Sequence, residues 1–327
     1  MKRRAFLAAA SALLAGDLSA QAQPPGRIAR VGILGQGTFD PSAASHKALT
    51  EGLATLGWKE GANFVFEIRY AEGDLAKLPQ LAAELAAAKP DVVVLGGPNT
   101  SAAYKKTGAS IPAVFVVVAN PIALGLAQSL GRPGGNFTGL ATLNPELFFA
   151  KQIELLREIV PRASRLAILF HPDNPIHTGT REVNRAALNK QGLKVIELAA
   201  RTQEELAPAF ARAAKERSEV MYVSGDPLFM RQRALLGELG LRHRLPAMFL
   251  FHEHVEAGGL ISYGIDIGGQ FRQAAGYVDK ILRGAAPRDL PIEEPTKYVL
   301  AVNMKTARAL GIKIPQTVLL RADRVIE

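Results

Sequence analysis

Cysteine is absent from this chain of 327 residues. That absence excludes disulfide frameworks, thiolate-bound zinc, iron–sulfur clusters and every cysteine nucleophile. No run of five or more basic residues occurs, so there is no arm of the kind that grips nucleic acid, although 39 Lys and Arg outnumber 30 Asp and Glu. Past residue 22, no segment reaches about 18 consecutive apolar residues, and no helical membrane span is expected. Catalytic signatures are missing as well: there is no G-x-S-x-G elbow, no H-E-x-x-H, no G-x-x-x-x-G-K-[ST] and no complete G-x-G-x-x-G. What is present is ordinary for a folded chain. Apolar residues make up 48% and charged residues 21%, which argues against disorder, and the length suggests about two domains.

The first residues read as an address. Lys2, Arg3 and Arg4 precede an apolar stretch at 5–16. As a helix this would span about 18 Å, short of the roughly 30 Å of a bilayer core. Ala20-Gln21-Ala22 supplies a small-x-small cleavage pattern, so residues 1–22 are expected to be a signal peptide. Arg3-Arg4-Ala5-Phe6-Leu7 also resembles a twin-arginine export motif, with the general secretory route equally open. The mature product is expected to be exported and periplasmic.

Strand-like and helix-like stretches alternate along the body. Short runs rich in Val, Ile and Leu recur at 30–34, 92–95, 113–118, 166–170, 193–198, 220–223 and 248–251. They are apolar without alternation, as parallel strands covered on both faces should be. Between them lie helical stripes: Leu49, Leu53 and Leu56; Leu75, Leu78, Ala82 and Leu85; Phe149, Ile153, Leu156 and Val160. Thr202 and Glu205 suggest a capping box before Leu206, Phe210 and Ala213, with Pro208 expected to kink that helix. The pattern predicts an α/β fold.

Three echoes recur in the same order: 30–34 at 165–169, 92–98 at 220–227, and 111–116 at 245–250. They predict two lobes of one design. The expected division is 27–140 plus 259–286 for the first lobe and 141–258 plus 287–327 for the second. Gly-rich or Pro-rich passages at 134–139, 257–259 and 284–295 are expected to form a three-stranded hinge.

In open α/β sheets ligands bind beyond the carboxyl ends of the strands. The residues just past each run are therefore the candidates: Gln36, the segment Pro98, Asn99, Thr100 and Ser101, then Asn120, Asn174, Asp226, Phe251 and Tyr263. A helix opening at Pro98 would offer free N–H groups and a positive dipole end to a carboxylate, or Asn99–Ser101 would simply cap it. Asp226 would take a ligand ammonium or cap the helix opened by Pro227. Phe251 or Tyr263 would stack on an apolar side chain. Asn120 and Asn174 each precede a proline and also suit structural turns. His252 and His254 are too few ligands for a metal site on their own. No cofactor is expected.

Several stretches carry a family resemblance: 51–58 (EGLATLGW), 78–85 with Pro90-Asp91-Val92, 132–139 (RPGGNFTG), 224–229 (SGDPLF), 255–259 (VEAGG) and 295–306 (PTKYVLAVNMKT). In these the chain resembles the periplasmic substrate-binding proteins of ABC transporters, type I fold, in the family that includes tryptophan and tyrosine receptors. The resemblance implies two lobes, each a parallel sheet flanked by helices, shutting on a small-molecule solute, an amino acid or small carboxylate. It further implies delivery to an ABC permease and its ATPase by a monomer that neither inserts in the membrane nor binds nucleic acid. Ligand contacts would fall on Pro98 to Ser101, Asn120, Asn174 and Asp226. Relatives carry Asp where this chain has Asn120, which would leave a ligand ammonium one carboxylate fewer. A sensory receptor would look the same, and an exported enzyme on this fold would need a catalytic constellation not found here.

Overall fold

A computed structural model describes residues 27–142, 145–295 and 298–327. The expected signal peptide lies outside the described residues. The first lobe runs β1 (Ala29–Gly35), α1 (Ala44–Thr55), β2 (Phe64–Tyr70), α2 (Leu78–Ala87), β3 (Val92–Gly96), α3 (Pro98–Lys106), β4 (Ala113–Val118) and β5 (Phe137–Ala141). Its strands form a parallel sheet in the order β2-β1-β3-β4-β5. The chain then passes to α4 (Pro145–Ile159), β6 (Arg165–Phe170), α5 (Pro175–Lys190), β7 (Lys194–Ala199), α6 (Leu206–Lys215), β8 (Val220–Val223), α7 (Pro227–Arg231), α8 (Arg233–Arg242), β9 (Ala247–Phe249), α9 (His252–Glu256) and β10 (Ile261–Gly264). It returns to the first lobe as α10 (Ile267–Leu282) and ends in the second as β11 (Val299–Asn303), α11 (Met304–Leu310), α12 (Gln316–Leu319) and β12 (Arg324–Ile326).

All seven apolar runs are strands, and the echoes pair structural equivalents: β1 with β6, β3 with β8, β4 with β9. The second sheet, β12-β11-β10-β9-β8-β6-β7, repeats the first lobe's order from β7 to β10 and adds β11 and β12 at the far edge. Only the β10–β11 pairing is antiparallel among the described ladders. The central strands of each sheet are buried on both faces, which is why they carry no polar alternation. In the first lobe Leu49 and Leu53 pack with Ala274 and Val278 on one face, and Leu78, Leu85 and Tyr104 cover the other. α1 and α10 approach closely because Gly52 presents no side chain: a Cβ there would lie 2.8 Å from that of Ala275. Burying each such Leu stabilises the fold by about 2 kcal/mol.

Three sequence boundaries move. β10 hydrogen-bonds with β9 and β11, so the chain re-enters the first lobe after Gly264, not at 259. Residues 287–293, expected in the second lobe, stay with the first: Thr138 donates to Leu290 O at 2.7 Å, Ile292 N to Leu130 O at 2.7 Å and Ala141 N to Glu293 O at 2.8 Å. The crossings therefore fall near 142–145, 264–267 and 293–299; Gly139 is inside β5, and residues 143–144 and 296–297 lie outside the described residues. Glycine marked the turns, but strand pairing decided where the chain crosses. In α6 the N-cap is Glu205 rather than Thr202. Pro208 falls in the first turn, where a missing N–H removes no helical bond, so it causes no kink.

Candidate functional site

Because β1–β5 in one sheet and β6–β10 in the other run parallel, their carboxyl ends gather loops and helix starts, and here the two sets face each other. They enclose a cavity of about 690 Å³ lined from both lobes. The first lobe contributes Gln36 after β1, Tyr70 at the end of β2, Gly97 and Pro98 at the start of α3, Val117 to Asn120 at the end of β4 except Val118, and Phe271 of α10. The second contributes Phe148 and Phe149 of α4, Phe170, Asn174, His177 and Arg181, then Tyr222, Ser224 to Asp226, Arg231 and Phe251.

The α3 start is locked by side chains. Gly97 has φ +110°, a left-handed value that favours glycine, and an added Cβ would overlap the Gln36 amide. That amide donates to Gly96 O at 2.9 Å and accepts from Asn99 Nδ2 at 2.9 Å. The Thr100 and Ser101 hydroxyls both donate back to Gly97 O at 2.8 Å and are fully buried. Thus Gln36 and Pro98 line the cavity, whereas Asn99, Thr100 and Ser101 do not. Helical steps of about 100° turn Thr100 and Ser101 into the core, while the half-buried Asn99 side chain is spent on Gln36, so what α3 presents to the cavity is its backbone end.

Asp226 is a double tie. Its carboxylate accepts from Leu228 N at 2.8 Å, capping α7, and from Asn174 Nδ2 at 2.9 Å. Both side chains are buried. His177, one turn along α5 from Asn174, stands behind this pair. Its Nδ1 is 3.0 Å from the His171 N–H and its Nε2 3.1 Å from Gly225 O, a geometry that fits a neutral ring accepting at Nδ1 and donating at Nε2. Burial lowers the imidazole pKa, and the Asp226 charge opposes that shift. Asn120 accepts from Ala123 N at 2.9 Å while lining the cavity, so its turn role is realised. Phe251 lines the wall. Tyr263 does not: it stacks on Phe148 at 5.5 Å, one layer behind. His252 and His254 lie on α9, away from the cavity, where the buried His254 stacks on Phe249 at 4.8 Å and burial holds its pKa down to about 4.

Seven aromatic residues line the cavity (Tyr70, Phe148, Phe149, Phe170, Tyr222, Phe251 and Phe271), from a chain holding 14 Phe, six Tyr and one Trp. Arg181 places its guanidinium over the Phe170 ring at 5.2 Å and pairs with Glu197 at 3.3 Å. Sequence reasoning missed His177, Arg181, Arg231 and all of these aromatics except Phe251. His177 and Arg181 were legible in retrospect as i+3 and i+7 from Asn174 on a helix opening at Pro175. The aromatics carried no comparable signal, being scattered over β2, α4, β6, β8 and α10.

Val117 is the strained point of the wall. It is β-branched with φ +63°, and the β4–β5 register shifts between Val116 and Val118. Such a residue costs about 1–3 kcal/mol. A partly buried Val replaced by Gly elsewhere in a sheet loses about 2–3 kcal/mol. At this bulge, Val117→Gly is expected to lose less than about 1 kcal/mol in urea unfolding, because relieved strain offsets the lost packing; a full loss would show that Val117 is not strained.

The family model for ABC transporter substrate binding proteins matches residues 38–326. The chain belongs to that family. Among curated proteins it is 24% identical over 276 residues to a tyrosine-binding protein of Clostridioides difficile, covering 82% of this chain and 76% of the relative. Among solved structures it is similar to a conserved domain protein from Vibrio cholerae, with 28% identity, a TM-score of 0.81, and 91% and 100% of the two chains covered. It is also similar to an ABC domain from Streptococcus pneumoniae in complex with L-Trp, with 25% identity, a TM-score of 0.80 and the same coverage. This substrate-binding protein thus has the expected two-lobed α/β fold, and its family is one of extracytoplasmic solute-binding proteins rather than enzymes.

Proposed function

We propose that this substrate-binding protein captures an amino acid with an aromatic side chain and hands it, as a monomer, to an ABC import permease driven by its ATPase. One observation carries the reading: a single cavity combines seven aromatic residues, a buried carboxylate at Asp226 and the N-terminal end of α3. Rings on the wall take the side chain, Asp226 takes the ammonium, and the positive end of α3 takes the carboxylate. The L-Trp complex and the tyrosine-binding relative support the same class. Closure follows from contacts to both lobes, and the ligand shifts the equilibrium only by its greater affinity for the closed form. The signal peptide over 1–22, with either export route, would deliver the protein to the periplasm.

A thermal-shift screen of the mature protein tests the ligand class. L-tryptophan or L-tyrosine at about a hundred times its dissociation constant should stabilise by about 2.7 kcal/mol, several degrees for a chain of this size. A shift with sugars or purines, and none with aromatic amino acids, would overturn the reading.

A further inference from the structure

One side chain of the second lobe rests on the backbone of the first. Arg231, the last residue of α7, lies over Gly73, in the turn after β2. A Cβ placed at Gly73 would stand 2.7 and 2.8 Å from the two terminal guanidinium nitrogens and 3.2 Å from Cζ, so the group sits against bare backbone. Gly73 has φ +86°, and its N–H donates to Gln36 O at 2.8 Å, while Glu72 N donates to Gly37 O at 2.8 Å. The seat is thereby tied to the loop that lines the cavity. A second contact follows the same route: a Cβ at Gly37 would lie 4.0 Å from Pro227 Cβ, at the other end of α7. Arg231 itself lines the cavity. Unlike Arg181, it has no ion-pair partner among the described residues.

We propose that Arg231 is a cross-lobe clasp: it seats on Gly73 only when the lobes shut, and brings to the cavity a positive charge that favours ligands bearing a carboxylate. The ligand class rests on the reading above, whereas the clasp does not. A planar guanidinium suits the role, because it lies flat on a backbone surface and keeps its donors directed sideways. A contact made only in the closed form adds to the difference in affinity between states, which is the quantity that drives closure. The same charge penalises a ligand that carries an ammonium and no carboxylate.

The lack of native cysteine permits a clean test. Lys77→Cys and Ala234→Cys, at exposed positions, provide one spin-label site on each lobe. Interlabel distances are measured by double electron–electron resonance in this background, without ligand and with saturating L-tryptophan. Arg231→Ala is expected to move the population toward longer distances in both conditions, and to weaken L-tryptophan about tenfold while weakening L-tryptophanamide less. Gly73→Ala, which keeps the guanidinium but denies it the seat, should shift the distances the same way. An unchanged distance distribution in Arg231→Ala overturns the clasp whether or not L-tryptophan binds. Equal losses for acid and amide overturn its charge role. A wild-type protein blind to every aromatic amino acid sinks the ligand reading alone, with the distance comparison still deciding the clasp.

Discussion

Asp226→Ala lowers the affinity for L-tryptophan by more than about tenfold, at least about 1.4 kcal/mol of binding free energy. The carboxylate is 7% exposed and held by Leu228 N and the Asn174 amide. Its removal takes away the acid assigned to the ligand ammonium. It also removes one hydrogen bond of the Asn174 amide, which lines the same wall. Asp226→Asn removes the charge at nearly constant size, and its single acceptor oxygen keeps only one of the two ties, to Leu228 N or to the Asn174 amide. By calorimetry, Asn should weaken L-tryptophan strongly but leave indole-3-propionate, which has no ammonium, nearly unaffected. Should both variants bind L-tryptophan like the parent, Asp226 has no part in holding the ligand.

Gly139→Ala is expected to destabilise the protein by about 4 kcal/mol. The site has φ +143°, and a Cβ there would overlap the Phe115 carbonyl oxygen and lie 2.7 Å from the Phe115 nitrogen. These are backbone atoms of the neighbouring strand β4, so no side chain can turn aside. β5 cannot slide away either: Glu293 N donates to Gly139 O at 3.1 Å, and Ala141 is paired with Val118 just past the bulge. Urea unfolding followed by circular dichroism measures the loss. A change below about 0.5 kcal/mol would show that β5 moves off β4 at little cost. The chain returning at residue 293 docks on this strand, so the variant should also loosen the crossing between lobes.

Much of the fold was legible because its signals are local. Apolar runs such as 92–95 and 220–223 became β3 and β8, and the Leu78, Ala82, Leu85 stripe became the buried face of α2. β2 escaped notice because, as an edge strand, it carries Glu67 and Arg69 within Phe64–Tyr70. The site was legible in part. Strand ends indicated Gln36, Pro98, Asn120, Asn174, Asp226 and Phe251, all of which line the cavity. The same rule also selected Thr100, Ser101 and Tyr263, whose side chains turn away from it.

By itself the sequence determined the strand–helix alternation and the ends of strands where a ligand can gather, which follow from periodicity within a few residues, and the duplicated design, which follows from segments repeated in the same order. Only the tertiary structure decided which side chains meet across the cleft. Tyr70 and Phe251 are brought to one cavity, and Gly73 and Arg231 into contact, by the way the two lobes face each other. No local pattern of hydrophobicity encodes that juxtaposition, because each partner is shaped by its own sheet.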